Sequence, residues 1–232
     1  MAAADPSFAH LDANIFSVEI RPASDRSLLV SFGEGISLEL HGQVLRLLRA
    51  LESIPPGILN LHPAYASVLI DFDPRRWTHA AVEELVSERL AVTERAAPPE
   101  ARTVEIPVCY GGEFGPDLED VARHTGLAPD EVVRRHAAGR YLVYFLGFSP
   151  GFAYLGGMPP ELATPRLAAP RPRVPAGSIA IGGSQTGIYP VESPGGWRVI
   201  GRTGLRLFDH EAVPPALVRA GDSVRFVPRA QL

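Results

Sequence analysis

The sequence predicts an α+β protein in two parts, an α/β unit followed by an all-β unit, and three observations carry this. Before residue 93, strand-like apolar runs alternate with two amphipathic helical patterns. "TERAAPPEAR" (93–102) has linker composition and marks a boundary. Beyond residue 140 short apolar runs lie between turns, and more than a third of residues 147–204 are glycine or proline. Many short strands with such turns indicate a β-barrel or sandwich. Disorder is excluded there because aromatic and β-branched residues recur throughout. The domains are therefore placed at 1–100 and 101–232.

Each element has a local reason. "SLLVSFG" (27–33) reads as a strand. "LELHGQVLRLLRAL" (38–51) sets Leu40, Val44, Leu47, Leu48 and Leu51 on one helical face. "ILNLHP" (58–63) and "ASVLIDFD" (66–73) form a strand pair around Pro63. "HAAVEELVSERLAV" (79–92) is a helix with Thr78 as N-cap, facing Val82, Leu85, Val86 and Leu90 inward. "TVEIPV" (103–108) is the next strand. Strand, helix, strand, strand, helix, strand is the order of a ferredoxin-like split βαβ. Two short helices follow within 115–139, with Pro116 and Pro129 at their N1 positions and Gly126 and Gly139 past their ends. "YLVYFL", "SIAI", "GIYPV", "WRVIG", "LRLF" and "SVRFV" are the later apolar runs.

Composition excludes several functions. The chain has 232 residues, a net charge of −4 and 46% hydrophobic residues, so it builds a core but lacks the basic surface that phosphate contacts to nucleic acid require. The helix pair at 115–139 looks like a helix-turn-helix, but Asp130 and Glu131 stand where the second helix would meet DNA. It is read as a structural hairpin. No run reaches the ~18 apolar residues of a spanning helix, and the start "MAAADPSFAHLDANIF" lacks a signal-peptide pattern. With one cysteine, Cys109, read as a small core residue, the expectation is a cytoplasmic protein with no membrane or nucleic-acid partner. All 22 basic residues are arginine. A Schiff-base lysine and a Walker A lysine are thereby excluded. No His/Cys metal constellation, G-x-S-x-G elbow or paired-carboxylate motif is present.

Several stretches carry binding chemistry. "IGGSQTGIYP" (181–190) is a tight turn or an anion-binding nest, with Gln185 and Thr186 as polar groups at its tip. On a strand, Arg198 and Arg202 share a face, and their guanidinium forks suit a carboxylate or phosphate. The proline-rich "PRLAAPRPRVPAGS" (165–178) cannot be helical; it is an extended arm, either a crossover between strands or a loop closing over a site. His136 is either an acid/base group or a cap on its helix end.

Taken together, "CYGGEFGPDLEDVARHTGL", "YLVYFLGFSPGFAYLGGMP", "PRVPAGSIAIGGSQTGIYPVESPGGWRVIGRT" and "LFDHEAVPPALVRAGDSVRFVP" resemble the family of the 5-oxoprolinase B subunit. It is also called the Kip I or allophanate hydrolase subunit 1 family, and is related to the carboxyltransferase half of urea carboxylase. The resemblance runs from about residue 104 to the C-terminus and is weaker at "PAYASVLIDFDP".

It implies a cyclophilin-like C-terminal barrel, A and C subunits as partners, and ATP-dependent opening of 5-oxoproline to glutamate. ATP, with Mg²⁺, is expected to bind together with the partner. On these motifs Arg202, Gln185 and, less directly, His136 are assigned to catalysis. Phe148, Gly151, Phe152, Tyr154, Arg171, Thr186, Gly187, Tyr189, Gly195, Gly196 and Arg198 are assigned to the substrate, a small amide. The glycines of "GFSPGFAYLGG" (147–157) would let backbone approach a planar ligand while the rings wall it in. Two alternatives follow from the same family: a Kip I-type inhibitor of a sporulation or sensor histidine kinase, and a urea- or allophanate-related amidohydrolase component. The latter works with biotin, which this chain has no lysine to carry.

Overall fold

A computed structural model describes residues 18–53, 55–93 and 101–232. The N-terminal stretch and most of the expected linker lie outside the described residues. Contacts divide the described residues into two compact units: those up to His62 with Ala66–Thr93, and Pro63–Tyr65 with those from residue 101 onward.

The first unit has strands β1 (Glu19–Ser24), β2 (Ser27–Ser31), β3 (Ile58–Pro63) and β4 (Ser67–Phe72), with helices α1 (Leu38–Ala50) and α2 (His79–Thr93). Its sheet order is β1-β2-β4-β3. Strict alternation buries Val68, Ile70 and Phe72 on β4 and leaves the residues between them partly exposed, as a sheet covered on one face requires. Both helices cover that face, because Val44 and Leu47 of α1 and Val82 and Val86 of α2 share one core with the strands. The Ser37 side chain starts α1 by accepting from the Glu39 and Leu40 amides, and Thr78 accepts from the Ala81 amide at the start of α2.

One expectation is corrected. The strand 103–108 is not the last strand of this sheet; it belongs to the second unit, and β1 occupies the edge beside β2. β1 gives little sequence signal because "EIRPAS" is exposed at every position but Ile20. An edge strand that buries little beyond Ile20 needs no apolar alternation, and it tolerates Pro22.

In the second unit β5 (Thr103–Tyr110), β6 (Tyr141–Leu146), β7 (Ala153–Gly156), β9 (Ser178–Gly182), β10 (Gln185–Ile188), β12 (Arg198–Arg202) and β13 (Ser223–Pro228) close a barrel. The order is β10-β7-β6-β13-β5-β12-β9. β13 and β5 run parallel; the other neighbours are antiparallel. A two-stranded ribbon, β8 (Arg171–Val174) with β11 (Ser193–Gly195), lies outside it. Helices α3 (Leu118–Thr125) and α4 (Pro129–Ala138) form the hairpin. Pro129 is at N1 as expected, but Asp117 is the N-cap of α3, so Pro116 stands one residue before the cap.

The two-residue period of a strand sorts side chains between two cores. Leu155, Ile179, Ile181, Ile188, Ile200 and Phe226 fill the barrel. Phe152, Ala180, Tyr189, Trp197 and Val199 form a separate cluster with Val174 of the ribbon. Leu155 is fully buried in the barrel. Leu155→Ala is expected to lower unfolding free energy by about 2–5 kcal/mol, measured by denaturant melts; a loss below about 1 kcal/mol would show a barrel that collapses to fill the space.

Candidate functional site

The aromatic residues of the second cluster wall a cavity of about 310 Å³. Phe148, Phe152, Tyr154, Tyr189 and Trp197 are its rings, Pro170, Pro194, Gly195 and Gly196 its non-aromatic wall, and Arg166 its ionic group. Phe152 is the centre. Its ring stands edge-on to Tyr154 at 5.1 Å, Tyr189 at 5.3 Å, Phe148 at 5.4 Å and Trp197 at 5.8 Å. Each such pair contributes roughly 0.5–1.5 kcal/mol beyond its buried area. Stacking of Tyr154 on Phe145 at 4.7 Å, and edge contact of Phe145 with Tyr65 at 4.9 Å, continue the row.

Glycine makes this packing possible. A Cβ on Gly182 would lie 2.4 Å from the Trp197 ring, and one on Gly195 would lie 2.4 Å from the Tyr189 hydroxyl. One on Gly187 would press Phe152 and Trp197 at 3.1 Å. The glycines therefore admit the rings themselves to the backbone. Phe148 is the exception in conformation: it holds φ of 62° without being glycine. That position costs about 1–3 kcal/mol and is held by its surroundings. Here the Gly147 amide bonds the Phe152 carbonyl and the Phe152 amide bonds the Ser149 carbonyl. The ring stands 64% exposed at the cavity.

The arm at 165–178 brings Pro170 and Arg166 to the cavity, and three arginines pin it. Arg198 Nε donates to the Pro165 carbonyl and Nη1 to Asp120. Arg171 grips Asp117 with both terminal nitrogens, at 2.6 and 2.8 Å. Arg202 Nε donates to the Ala176 carbonyl. Asp117 is buried and also accepts from the Val199 amide at 2.7 Å. Asp120 is held below the usual carboxylate range chiefly by its bond from Arg123, with the charges of Arg198 and Arg171 adding.

The expected site residues thus separate into groups. Phe148, Phe152, Tyr154, Tyr189, Gly195 and Gly196 meet at the cavity. Gly187 lies beneath two of its rings, and Gly151 packs on Phe208. Arg171, Arg198 and Arg202 stand outside the cavity lining, each bonded to protein groups. Arg171 and Arg202 do line a smaller recess of about 190 Å³ with Arg173 and Glu113. Arg198 and Arg202 meet different partners, and a bulge between Val199 and Gly201 interrupts the strand between them. The segment 181–190 is a hairpin turning at Gly183, φ 66°. Gln185 exchanges hydrogen bonds with the Tyr65 hydroxyl.

Thr186 and His136 are both fully buried, away from the cavity lining. Thr186 donates to the Ala180 carbonyl at 3.0 Å, so its oxygen accepts from His136 Nε2 at 3.0 Å, and His136 Nδ1 accepts from Tyr110 at 2.8 Å. The imidazole lies against Phe226, centroids 4.6 Å apart. Burial lowers its pKa to about 3, so near neutral pH it is an uncharged link between Tyr110 and Thr186.

Sequence reasoning passes over Arg166, Pro170 and Pro194. It marks the arm as one that could close over a site but takes Arg171 from it as the ligand group. Arg166 carries the missed signal: its guanidinium lies 5.5 Å from the Trp197 ring centroid. Among the described residues no group of three or more His, Cys, Asp or Glu could hold a metal ion, and no helix is long and apolar enough to cross a membrane.

Residues 18–218 match the family described as carboxyltransferase domain, subdomain C and D. The chain is 44% identical over 220 residues to the 5-oxoprolinase B subunit of Bacillus subtilis, covering 90% of this chain and 92% of that one. It is 45% identical over 197 residues to the protein of that name in Escherichia coli O157:H7, covering 84% and 89%. A crystal structure of TTHA0988 superposes with a TM-score of 0.80 at 40% identity; the match covers 89% of this chain but only 40% of that one. The Kluyveromyces lactis urea amidolyase shares the fold, with a TM-score of 0.70 at 23% identity, over 91% of this chain and 15% of that one.

The buried histidine has a consequence for stability. Its folded pKa of about 3 lies below the unfolded value near 6.5. The unfolded chain therefore binds the extra proton between those values, and the histidine's contribution, complete above pH 6.5, is lost as pH falls toward 3. The loss is roughly 1.5 kcal/mol between pH 6.5 and 5. His136→Gln is expected to flatten the stability profile over that interval in denaturant melts. An unchanged slope would show that the proton goes elsewhere.

Proposed function

The chain belongs to the carboxyltransferase-domain family, subdomains C and D, and we propose that it serves as the B subunit of an ATP-dependent 5-oxoprolinase. In this reading it opens 5-oxoproline to L-glutamate together with the A and C subunits and is inactive alone. The observation that carries the reading is the ring-walled cavity, small, flat-sided and rigid, with one ionic group in its lining. A five-membered lactam is a flat, small amide of matching shape.

The chemistry explains why such walls help. A lactam is stabilised by amide resonance and resists water, so the complex must activate it, and the activated form must be kept from stray hydrolysis. Rings held edge-on around Phe152 exclude water and fix the plane of the bound ring, which lowers the cost of reaching the reactive geometry. Trp197, Tyr189 and Phe152 orient; none exchanges a proton at neutral pH, and burial pushes the Tyr189 hydroxyl further up, so it stays protonated.

ATP with Mg²⁺ would supply the driving force for ring opening. This chain has no lysine, and the arginines beside the arm are already bonded to protein groups. These features support a nucleotide site formed with the other subunits rather than here alone.

The test is glutamate release from 5-oxoproline and ATP by this chain mixed with its cognate A and C subunits, omitting each in turn. Activity is expected only from the complete mixture. Phe152→Leu, which keeps apolar bulk but removes the ring, is expected to lower kcat/KM by on the order of 10²-fold in a complex that still assembles. An assembled complex that releases no glutamate would sink the reading and direct attention to another small amide.

A further inference from the structure

We propose that Arg166 is the specificity-determining residue of the cavity, binding the carboxylate of the substrate through its guanidinium fork and so selecting an anionic cyclic amide over a neutral one. The inference rests on the reading above and adds to it the ligand group recognised and the residue that recognises it.

The first observation is the environment of the charge. Arg166 is the ionic group lining the cavity; the rest of the lining is five rings, two prolines and two glycines. Among the described residues no carboxylate lies within ion-pair distance of it, whereas Arg171, Arg198 and Arg206 each have one. Its charge is felt by the Tyr189 hydroxyl of the lining, and by that of Tyr65 outside it. An arginine left without an anion beside an apolar cavity is a ready partner for one brought by a ligand.

The second is preorganisation. The backbone is fixed on both sides of the residue, because Arg198 holds the Pro165 carbonyl and the Leu167 amide donates to the Gly196 carbonyl at 2.7 Å. The guanidinium lies over the Trp197 ring. Cation–π contact covers the charge without using its N–H groups, so the fork stays available for a bidentate carboxylate contact. With the backbone held on both sides, the ordering cost of binding is confined to the exposed side chain itself.

The geometry also separates the two ends of the ligand. A flat amide ring lies against the aromatic rings, and the carboxylate turns to the arm. The carboxylate is not the reacting group, so its contact contributes equally to bound substrate and transition state. Loss of such a contact raises KM and leaves kcat nearly unchanged.

The experiment compares 5-oxoproline with 2-pyrrolidinone, the same lactam without a carboxylate, in the complete complex of wild type, Arg166→Gln and Arg166→Lys. Wild type is expected to prefer 5-oxoproline strongly. Arg166→Gln is expected to raise KM for 5-oxoproline roughly 10- to 100-fold with kcat within a few-fold, while turnover of 2-pyrrolidinone stays as in wild type. Arg166→Lys, a point charge without the fork, is expected to fall between. An unchanged KM, or equal loss with both lactams, would overturn the inference. A complex inactive with 5-oxoproline would instead refute the 5-oxoprolinase reading. The inference would then be decided by titrating the full chain with 5-oxoproline and 2-pyrrolidinone by calorimetry. A carboxylate preference abolished by Arg166→Gln would still support it, and equal binding or none would overturn it.

Discussion

The buried carboxylate of Asp117 is the fixed point on which the site depends. It closes the approach to α3, receives both terminal nitrogens of Arg171 from β8, and accepts the Val199 amide from β12. Three elements distant in sequence are thereby held at one atom group. A buried carboxylate left without its cation costs about 3–5 kcal/mol, so the arm does not leave its place without a large penalty. Arg198 and Arg202 secure the two ends of the arm, at Pro165 and Ala176. The segment between them carries Arg166 and Pro170, and these complete the cavity. Rigidity at the binding surface thus originates in an ion pair that the ligand need never touch.

Glycine plays the complementary part on the barrel side. Trp197 lies over Gly182, Tyr189 meets Gly195, and Phe152 sits on Gly187. Any side chain at these positions would lift a ring and open the cluster. Because each ring is seated on backbone and touches other rings edge-on, the cavity wall resembles a packed core with one side left open. Such a wall has few alternative rotamers, and the ordering cost of binding is largely met during folding.

Much of this is legible in the sequence, and the misses have physical reasons. The two-part α+β fold and both helices of the first unit follow from periodicity and composition, because burial and turns impose those patterns directly, whereas the rings of 147–157 are assigned to a site only through the family motifs. β1 escapes notice because an exposed edge strand is under no such pressure. Thr186 reads as a loop-tip group beside Gln185, yet neighbours on a strand face opposite ways. Once β10 begins at Gln185, Thr186 must point toward His136 in the barrel. His136 reads as reactive only because sequence does not show that it is enclosed between Tyr141 and Phe226.

The arginines show a deeper limit. Arg166, Arg171, Arg198 and Arg202 are chemically identical in the sequence, and their functions diverge only through what each one meets. Asp117 neutralises Arg171, and Asp120 is shared by Arg198 and Arg123. These two acids are thereby engaged, and the ionic group lining the cavity is Arg166. A net charge of −4 over the whole chain does not predict this, because salt screens exposed charges beyond about 8 Å and a ligand responds to the groups around it. The paired arginines therefore serve selectivity indirectly: by binding Asp117 and Asp120 they remove nearby negative charge, and the cavity is left attractive to an anion although the protein as a whole is acidic.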